Sequence, residues 1–229
     1  TTYKSVIITY DEKGNELFKT YLSKTIAVDA CVSPDNAEFA YAEVNNSGTT
    51  IQSNIKIISI KDVKEKNTEP KYEYNAVQGS LILRIKYQDK SRLICMYDDS
   101  IHKFETGVDV ELTKLNEDNP KITFADIELS NYVFRTYEKS TSLFSADTII
   151  EMQNTSNGKE NVYTIEEVAK SVVSNNNVIA VNLGNEVYFV ETNAWLIKRY
   201  SSSQVIEKII LGDGVAGIIY SDKIEIVNL

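Results

Sequence analysis

The chain has 229 residues and carries 24 Lys and Arg against 33 Asp and Glu, which gives a net charge of −9. Nine Gly and three Pro are too few for a collagen-like or low-complexity chain, and two Cys cannot staple a disulfide scaffold of this length. The acidity argues against nucleic acids and anionic lipids as direct partners. No apolar run reaches the length of a membrane-spanning helix, so we expect no direct membrane insertion by this segment.

Alternation of apolar and polar residues with a period of two dominates the chain from its first hairpin, Val6–Asp11 and Glu16–Leu22, to Lys223–Ile226. Such alternation predicts half-buried strands, and about twenty of them fit between the turn signals. The predicted turns share residues that tolerate a left-handed backbone or bond their own backbone. They are Glu12–Asn15, Ser33–Asn36, Asp98–Ser100, Asn157–Gly158, Gly184–Asn185, Asp213–Gly214 and Ser221–Asp222.

Two stretches depart from the strand pattern. Lys61–Pro70 is charged and aperiodic, and we interpret it as a solvated loop inserted between strands. Thr164–Ala169 has Thr164 and Glu167 at the spacing of a capping box, which predicts a helix of a turn or two, with a strand connector as the alternative.

A repeated unit organises the strands. Segments that read as the first strand of a unit begin 35 to 55 residues apart: Ile26–Ser33, Leu81–Asp89, Ile122–Leu129, Lys170–Asn177 and Val205–Asp213. Two or three further short strands follow each of them, and four antiparallel strands every 40 to 50 residues is the period of a β-propeller. A β-sandwich pair or a large barrel is the competing architecture, and neither requires this repeat.

These patterns predict one all-β domain over residues 1–229, a β-propeller of four-stranded antiparallel blades with about five units in this chain. The two ends of the chain leave the number of complete blades open. The chain starts with two strands and ends with three, which together are one strand more than a blade needs. The three at the end are Val205–Asp213, Val215–Tyr220 and Lys223–Val227. Either one blade has five strands, or a blade is incomplete at the N-terminus.

Two segments resemble known propeller repeats. Tyr10–Phe18 resembles the hairpin of quinoprotein-like propellers, with Phe18 in the place of a Trp. Ala27–Asp35, followed by Phe39–Ala42, resembles the repeat of WD40-like and TolB-like propellers. The repeated Trp, vicinal Cys and Gly content of quinoproteins are missing, so we predict no quinone and no other cofactor.

The order of segments along the whole chain is similar to a propeller-like family of unknown function from low-GC Gram-positive bacteria. Val178–Asn182, Glu186–Val190 and Trp195–Ile197 carry much of this likeness. The resemblance implies an N-terminal membrane anchor and presentation on the extracellular side of the cell membrane. The chain starts at Thr1-Thr2 without a Met, and we expect such an anchor upstream.

The residues that could carry chemistry are few, and for each of them we favour a structural interpretation. His102 is the one His and reads as a half-exposed strand residue, with a catalytic base as the alternative. Asp98-Asp99 reads as a turn rather than a pair of metal ligands. Glu166-Glu167 reads as charge at the start of a helix rather than a carboxylate pair.

The aromatic and thiol side chains complete the set of candidates. Trp195 and Tyr200 are expected to pack with Tyr188 and Phe189 between blades, with a carbohydrate or peptide platform as the alternative. Cys31 and Cys95 lie in apolar strand contexts and are interpreted as buried hydrophobic residues, with a disulfide as the alternative.

The sequence therefore predicts no catalytic residue and no metal site, and it leaves the binding residues undefined. We expect a non-catalytic binding or scaffold propeller that recognises a protein or an envelope polymer outside a bacterial cell. One alternative is a hydrolase or lyase whose site lies at the mouth of the central channel. Another is the extracellular sensor domain of a membrane-tethered protein.

Overall fold

The structure is a computed structural model that describes residues 4–45, 47–115 and 121–229, so Thr1 and Thr2 lie outside the described residues. It divides the chain into two compact units, Thr1–Lys114 and Leu115–Leu229. The expectation of a single domain stays a prediction.

The first unit consists of a hairpin and two four-stranded antiparallel sheets. The hairpin pairs β1 with β2, the next sheet has the order β3-β4-β5-β6, and the last has the order β7-β8-β9-β10. The elements are β1 (Ser5–Tyr10), β2 (Glu16–Leu22), β3 (Ile26–Val32), β4 (Glu38–Asn45), β5 (Gln52–Ser59), α1 (Ile60–Lys64), β6 (Tyr72–Asn75), β7 (Ile82–Tyr87), β8 (Arg92–Tyr97), β9 (Ser100–Glu105) and β10 (Val108–Lys114).

The second unit contains two more four-stranded antiparallel sheets and one sheet of three strands. Their orders are β11-β12-β13-β14, β15-β16-β17-β18 and β19-β20-β21. The strands are β11 (Ile122–Asp126), β12 (Tyr132–Ser140), β13 (Ala146–Asn154), β14 (Glu160–Ile165), β15 (Ser171–Asn175), β16 (Val178–Asn182), β17 (Glu186–Glu191), β18 (Leu196–Ser201), β19 (Lys208–Leu211), β20 (Val215–Ile219) and β21 (Ile224–Asn228).

The prediction of short antiparallel strands in repeated units is confirmed. The described residues contain 21 strands, and each of the five predicted first strands opens a sheet as β3, β7, β11, β15 or β19. All seven predicted turns fall between strands. In the β1–β2 turn, for example, Gly14 takes a φ of +81°, and the Asp11 carboxylate accepts hydrogen bonds from the Lys13 and Asn15 N–H groups. The described part of the chain has no five-stranded sheet.

Two stretches between strands differ from the first interpretation given for them. At Thr164–Ala169 the alternative of a strand connector is confirmed and the short helix is not, because β14 continues to the buried Ile165, Thr164 pairs with Ile149 on β13, and the residues after Ile165 connect β14 to β15. Conversely, the charged stretch Lys61–Pro70 begins with the helix α1. Ser59 caps that helix by accepting the Asp62 N–H at 3.2 Å, and its buried Val63 anchors it to the core. One apolar residue among charges is too weak a signal for sequence periodicity.

The only helix among the described residues is α1, and no helix in that part of the chain has the length and apolar character needed to cross a bilayer. The hydrophobic core lies instead between consecutive sheets. In the first unit, Ile55, Ile85, Cys95 and Phe104 join the two sheets, and a second cluster packs β1–β2 and α1 onto β4 and β5. In the second unit, comparable clusters fill both gaps between its three sheets.

Polar side chains tie the first strands of neighbouring sheets together. The Asp29 carboxylate on β3 accepts the Ile85 N–H of β7 at 2.9 Å, and also the N–H of the next residue, Ala30. Asp126 on β11 repeats this arrangement, accepting the Ser174 hydroxyl of β15 at 3.0 Å and its own neighbour's N–H. Each carboxylate thus fixes the spacing of two sheets with one oxygen and its own strand with the other.

We predict that Asp29→Ala lowers the free energy of unfolding by about 1–3 kcal/mol, because the Ile85 N–H loses its acceptor in a partly buried place. Asp213→Ala is the matched control, because Asp213 lies exposed in a turn, and its removal should change stability by less than about 0.5 kcal/mol. Urea denaturation followed by circular dichroism measures both. Equal effects of the two substitutions would contradict the role given to Asp29.

Candidate functional site

One cleft of the first unit lies between the β1–β2 turn, the β3–β4 turn and α1, and it has a volume of about 490 Å³. We call it the α1 groove. It is lined by residues from three separate parts of the sequence: Thr9–Lys13, Asn15, Leu17, Val32, Asn36, Phe39, Ile60 and Lys64. Clefts of this size are typical of ligand and peptide sites.

The floor of the α1 groove is set by the packing below it. Phe39 on β4 is buried and meets the ring of Phe18 edge to face, with 5.0 Å between the ring centroids. Ile60 at the start of α1 donates its N–H to the Ala37 carbonyl at 2.9 Å, which holds the helix against the β3–β4 turn. The floor therefore consists of core side chains whose positions are fixed from beneath.

The β3–β4 turn is held rigid by its own side chains. The Ser33 hydroxyl donates to Asp35 at 2.7 Å and accepts the N–H groups of Ala37 and Glu38. The Ser33 hydrogen bond is the main cause that lowers the pKa of the Asp35 carboxyl. Asp35 is thus an ionised turn anchor, and the groove wall that follows Val32 has little freedom to move.

Two apolar side chains stand exposed in the α1 groove. Tyr10 is 58% exposed and Val32 is 51% exposed, and Leu17 contributes a third apolar contact between them and the floor. Lys13 and Lys64 add positive charge to the lining, and Asp11 and Glu12 add negative charge. The result is an apolar strip beside charges, which is the pattern of a binding surface.

The Asp11 carboxylate in the α1 groove is already engaged in hydrogen bonds that hold the turn. Asp11 accepts three hydrogen bonds, two from Asn15 and one from the Lys13 N–H. The hydrogen bond from the Asn15 side chain is the first cause that lowers its pKa. A general acid requires a raised pKa, so Asp11 is not suited to that role.

His102 lies in a second, smaller cleft of the first unit, with a volume of about 130 Å³. Its Nδ1 is 2.7 Å from Asp109 Oδ1, its Nε2 is 4.0 Å from Glu111 Oε2, and its ring meets Tyr97 edge to face. The cleft therefore joins His102 to carboxylates from the neighbouring strand β10, a juxtaposition that the sequence did not reveal.

The serine hydroxyls of this cleft donate to Asp99 rather than to His102. The Ser80 hydroxyl donates to Asp99 at 2.7 Å, and the Ser100 hydroxyl donates to the other oxygen of Asp99 at 2.8 Å. Asp98 accepts the Leu81 N–H at 2.8 Å. The two aspartates thus form the predicted turn and bind it to the start of β7. The described residues hold no group of three or more His, Cys, Asp or Glu side chains arranged for a metal ion.

The remaining candidate residues lie in different parts of the second unit. Glu166 and Glu167 are exposed in the connector after β14, where the Glu167 carbonyl accepts the Thr148 hydroxyl at 2.7 Å. Phe189 is fully buried between two sheets, and Tyr200 packs beside it with its hydroxyl 2.7 Å from that of Tyr220, as predicted.

Trp195 does not join that cluster. It lies in the β17–β18 turn and is 70% exposed, so the predicted packing of this ring between blades was wrong. The turn is closed by Asn193, whose side chain accepts the Trp195 N–H at 2.9 Å and thereby directs the backbone away from the core. A single exposed ring among polar neighbours is not a binding platform by itself.

Cys31 and Cys95 are both free thiols in the core of the first unit, as the apolar context predicted. Burial raises the pKa of Cys31 to about 12, and burial raises the pKa of Cys95 as well. Both groups are therefore protonated at neutral pH, which makes them poor nucleophiles.

Comparison with known proteins identifies the family and the fold of this chain. Residues 1–229 match a family described as "Family of unknown function (DUF5711)", and no curated protein matches the chain in sequence. The C-terminal WD40 domain of Sif2 is similar in structure, with a TM-score of 0.50 and 10% identity over 99% of this chain and 76% of that chain. The WD40 domain of Neurospora crassa Pan2 has a TM-score of 0.52 and 8% identity, over 94% and 66% of the two chains.

A chain from a study of two prolyl endopeptidases is also similar, with a TM-score of 0.59 and 15% identity over 95% of this chain. This protein spans about a third (34%) of that chain's length. At these identities the likeness shows the fold alone. The fold is a WD40-like β-propeller of four-stranded antiparallel blades, with five blade-like sheets in this chain.

We predict that Ellman's reagent labels the native chain at pH 8 at least about a hundredfold more slowly than the chain in guanidinium chloride, because burial removes both access and thiolate. A Cys95→Ala variant reports Cys31 alone, and its labelling rate should rise with pH, since the thiolate fraction grows as the pH approaches a pKa of about 12. Rapid labelling of either thiol in the native chain would contradict the burial described here.

Proposed function

The chain belongs to the DUF5711 family, a family of unknown function, and we propose that it is a non-catalytic propeller scaffold that binds another protein on the extracellular side of a bacterial membrane. The partner is held in the α1 groove. The observation that carries this proposal is the pair of exposed apolar side chains, Tyr10 and Val32, set above a rigid floor in a cleft of about 490 Å³.

The α1 groove has the features of a protein-recognition site. Exposed Tyr side chains that bury an apolar ring and keep a polar hydroxyl are frequent anchors of interfaces. Because the floor residues are already packed, binding costs little ordering of the groove. Lys13 and Lys64 are balanced by Asp11 and Glu12 on the same lining, so the charges can orient a docking segment without selecting one sign of charge.

A protein fits the α1 groove better than an envelope polymer does. Sugar hydroxyls need hydrogen-bonding partners when they leave water. Glu12, Lys13 and Asn36 could supply some of them, but Val32, Leu17 and Ile60 give part of the lining an aliphatic surface that offers none. The Asp11 carboxylate is already engaged by Lys13 and Asn15. An apolar peptide side chain loses nothing on such a surface and gains by leaving water.

Presentation outside the cell is supported by the resemblance to membrane-anchored bacterial propellers and is open to a direct test. Protease added to intact cells of the source bacterium is expected to digest this domain while a cytosolic marker protein survives. The same protease added to lysed cells must digest both. A domain that survives in intact cells and disappears only after lysis would contradict an extracellular location and leave the binding proposal standing.

The binding proposal predicts that displayed peptides with exposed apolar side chains are enriched by selection on the folded domain. Val32→Asp should weaken the enriched peptides at least about tenfold, because it places a charge in the apolar strip. Tyr10→Ala should have a similar effect through the lost ring contact. Fluorescence anisotropy of a labelled peptide measures both dissociation constants.

Val162→Asp is the matched control, because Val162 is 53% exposed on β14 in the second unit and lies outside the groove. It should leave the dissociation constant unchanged. Enrichment of no peptide, or peptides that bind the Val32→Asp variant as well as the original chain, would contradict the proposal. Purified envelope polymer bound in a Val32-dependent manner would replace the protein partner with a polymer.

A further inference from the structure

The last sheet of the chain has one strand fewer than the sheets before it. The sheet β19-β20-β21 has three strands, whereas the four sheets between it and the first hairpin have four each. In those four sheets the third strand pairs with a strand on either side. The third strand of the last sheet is β21, and among the described residues it pairs with β20 alone. One edge of β21 is therefore open.

The open edge differs from the corresponding strands in how much of it lies in water. None of the residues of β5, β9, β13 and β17, the third strands of the other sheets, is exposed. In β21, by contrast, Ile224 is 64% exposed, Ile226 is 70% exposed, and Asn228 is exposed as well. The exposure of these alternate residues marks the place of a missing neighbour.

The main-chain groups of the open edge point into solvent. The Tyr220 N–H donates to the Lys223 carbonyl at 2.9 Å, so the main chain of Lys223 is directed towards β20. Successive residues of an antiparallel strand direct their main-chain groups to opposite sides, so those of Ile224, Ile226 and Asn228 are directed away from β20. The two strands pair without a register shift, and such a regular open edge is a template for a further strand.

An apolar hollow lies beside this row of main-chain groups. Ile226 is opposite Gly217 on β20, and Gly217 is opposite Ile210 on β19, which is 53% exposed. A Cβ at Gly217 would lie 4.0 Å from atoms of both Ile224 and Ile226, so the absence of a side chain there leaves a shallow depression between the isoleucines. The opposite face of the sheet is covered, because Val227 packs into the core of the second unit.

We propose that the open edge of β21 takes up an extended segment of a partner protein as the fourth strand of this sheet. Such a segment supplies main-chain donors and acceptors at the spacing that Ile224 and Ile226 present, and strand addition is a common mode of peptide recognition. The side chains of the added strand alternate between the two faces of the sheet. Every second residue therefore lies beside the apolar hollow, and we expect β-branched residues there.

A lysine limits the length of the open edge. Lys198 on β18 of the neighbouring sheet donates from its Nζ to the Asn228 carbonyl at 2.6 Å. Its ammonium group thus covers one end of the row, which is a usual protection of sheet edges, and leaves Ile224 and Ile226 open. The added strand consequently forms its main-chain hydrogen bonds with these two residues.

The same lysine argues against a second copy of the chain as the partner. Two β21 strands related by a twofold axis at Ile226 would pair Ile224 of each copy with Asn228 of the other, where Lys198 lies. Each copy also carries a net charge of −9, which opposes self-association. The charge instead favours a partner segment that is uncharged or basic.

This surface is independent of the α1 groove, because β21 belongs to the second unit and the groove to the first. Strand addition depends on the main chain, whereas binding in the groove depends on the side chains of Tyr10 and Val32. The Val32→Asp variant therefore loses groove binding and keeps strand addition, so the failure of one proposal is distinguishable from the failure of the other.

The probe is a fluorescein-labelled peptide that alternates valine and threonine between terminal lysines. Fluorescence anisotropy measures its binding to the Val32→Asp variant. In an added strand, the N–H groups of alternate residues face β21 and the others face solvent. N-methylation of one alternate set should therefore weaken binding at least about tenfold, and N-methylation of the other set should leave it unchanged, although both keep all side chains.

Ile226→Pro removes an N–H that is directed away from β20, and proline is tolerated at such places of an edge strand. It should weaken binding of the unmethylated probe at least about tenfold. Val162→Pro is the matched control. The Asn154 N–H donates to the Lys159 carbonyl at 2.8 Å, so the same alternation directs the Val162 N–H outward from β14, in a sheet that already has four strands. This variant should bind the probe unchanged.

Two further measurements examine the edge itself. Lys198→Ala should strengthen binding about threefold, because it frees the Asn228 carbonyl. Saturating probe should slow amide hydrogen exchange at Ile224 and Ile226 about tenfold, whereas exchange at Val162 should not change. Unchanged melting temperatures confirm that the variants are folded, and the two methylated probes test the proposal on a chain without any change in β21.

Four results would overturn the proposal. A probe that does not bind, or that binds equally well with either alternate set methylated, would exclude strand pairing. Equal weakening by Val162→Pro would indicate pairing with any sheet edge. Self-association that Ile226→Pro abolishes would assign the open edge to a second copy of the chain. Binding that is lost in a longer product of the same gene would assign the edge to a segment of its own polypeptide.

Discussion

The structure depends on one constraint: a four-stranded sheet of this chain cannot bury its apolar faces alone, so each must be held at a fixed distance from the next. The cores lie between consecutive sheets within each unit. Asp29 and Asp126 set that distance where the first strands meet, because each carboxylate bonds its own strand and the neighbouring one. Apolar packing supplies the stabilisation, and these polar contacts supply the register.

The position of the α1 groove depends on β3, the strand that carries Asp29. Asp29 holds β3 against β7, and three residues later Val32 leaves β3 with its side chain exposed in the groove. The Ser33 and Asp35 hydrogen bonds then fix the turn, and Ile60 docks α1 onto it. A binding surface built in this way is preorganised, because its walls are held by the contacts that hold the sheets.

Much of the fold could be predicted from the sequence, because a period of two and the turn residues are local signals. The first strands β3, β7, β11, β15 and β19 all lie where the repeat placed them. The failures occurred where local signals compete. A capping-box spacing at Thr164 was overridden by strand pairing with Ile149, and the charges of Lys61–Pro70 concealed the single buried Val63 that anchors α1.

The surfaces could not be predicted, because they depend on distance in space. Tyr10, Val32 and Ile60 lie in three segments that only the folded first unit brings together. Leu143 and Phe144 have no pattern in the sequence that sets them apart, and the hairpin geometry leaves them in water.

The same reasoning applies to the polar cluster around His102 in the first unit. The hydroxyls of Ser80 and Ser100 donate to Asp99, so they are not activated by His102. His102 in turn is held by Asp109. A nucleophile needs a base within reach and not otherwise engaged, and in this cluster the hydroxyls are committed to closing a turn. Their hydrogen bonds hold neighbouring strands together, and the exposed apolar side chains of the α1 groove are the surface that we propose for a partner.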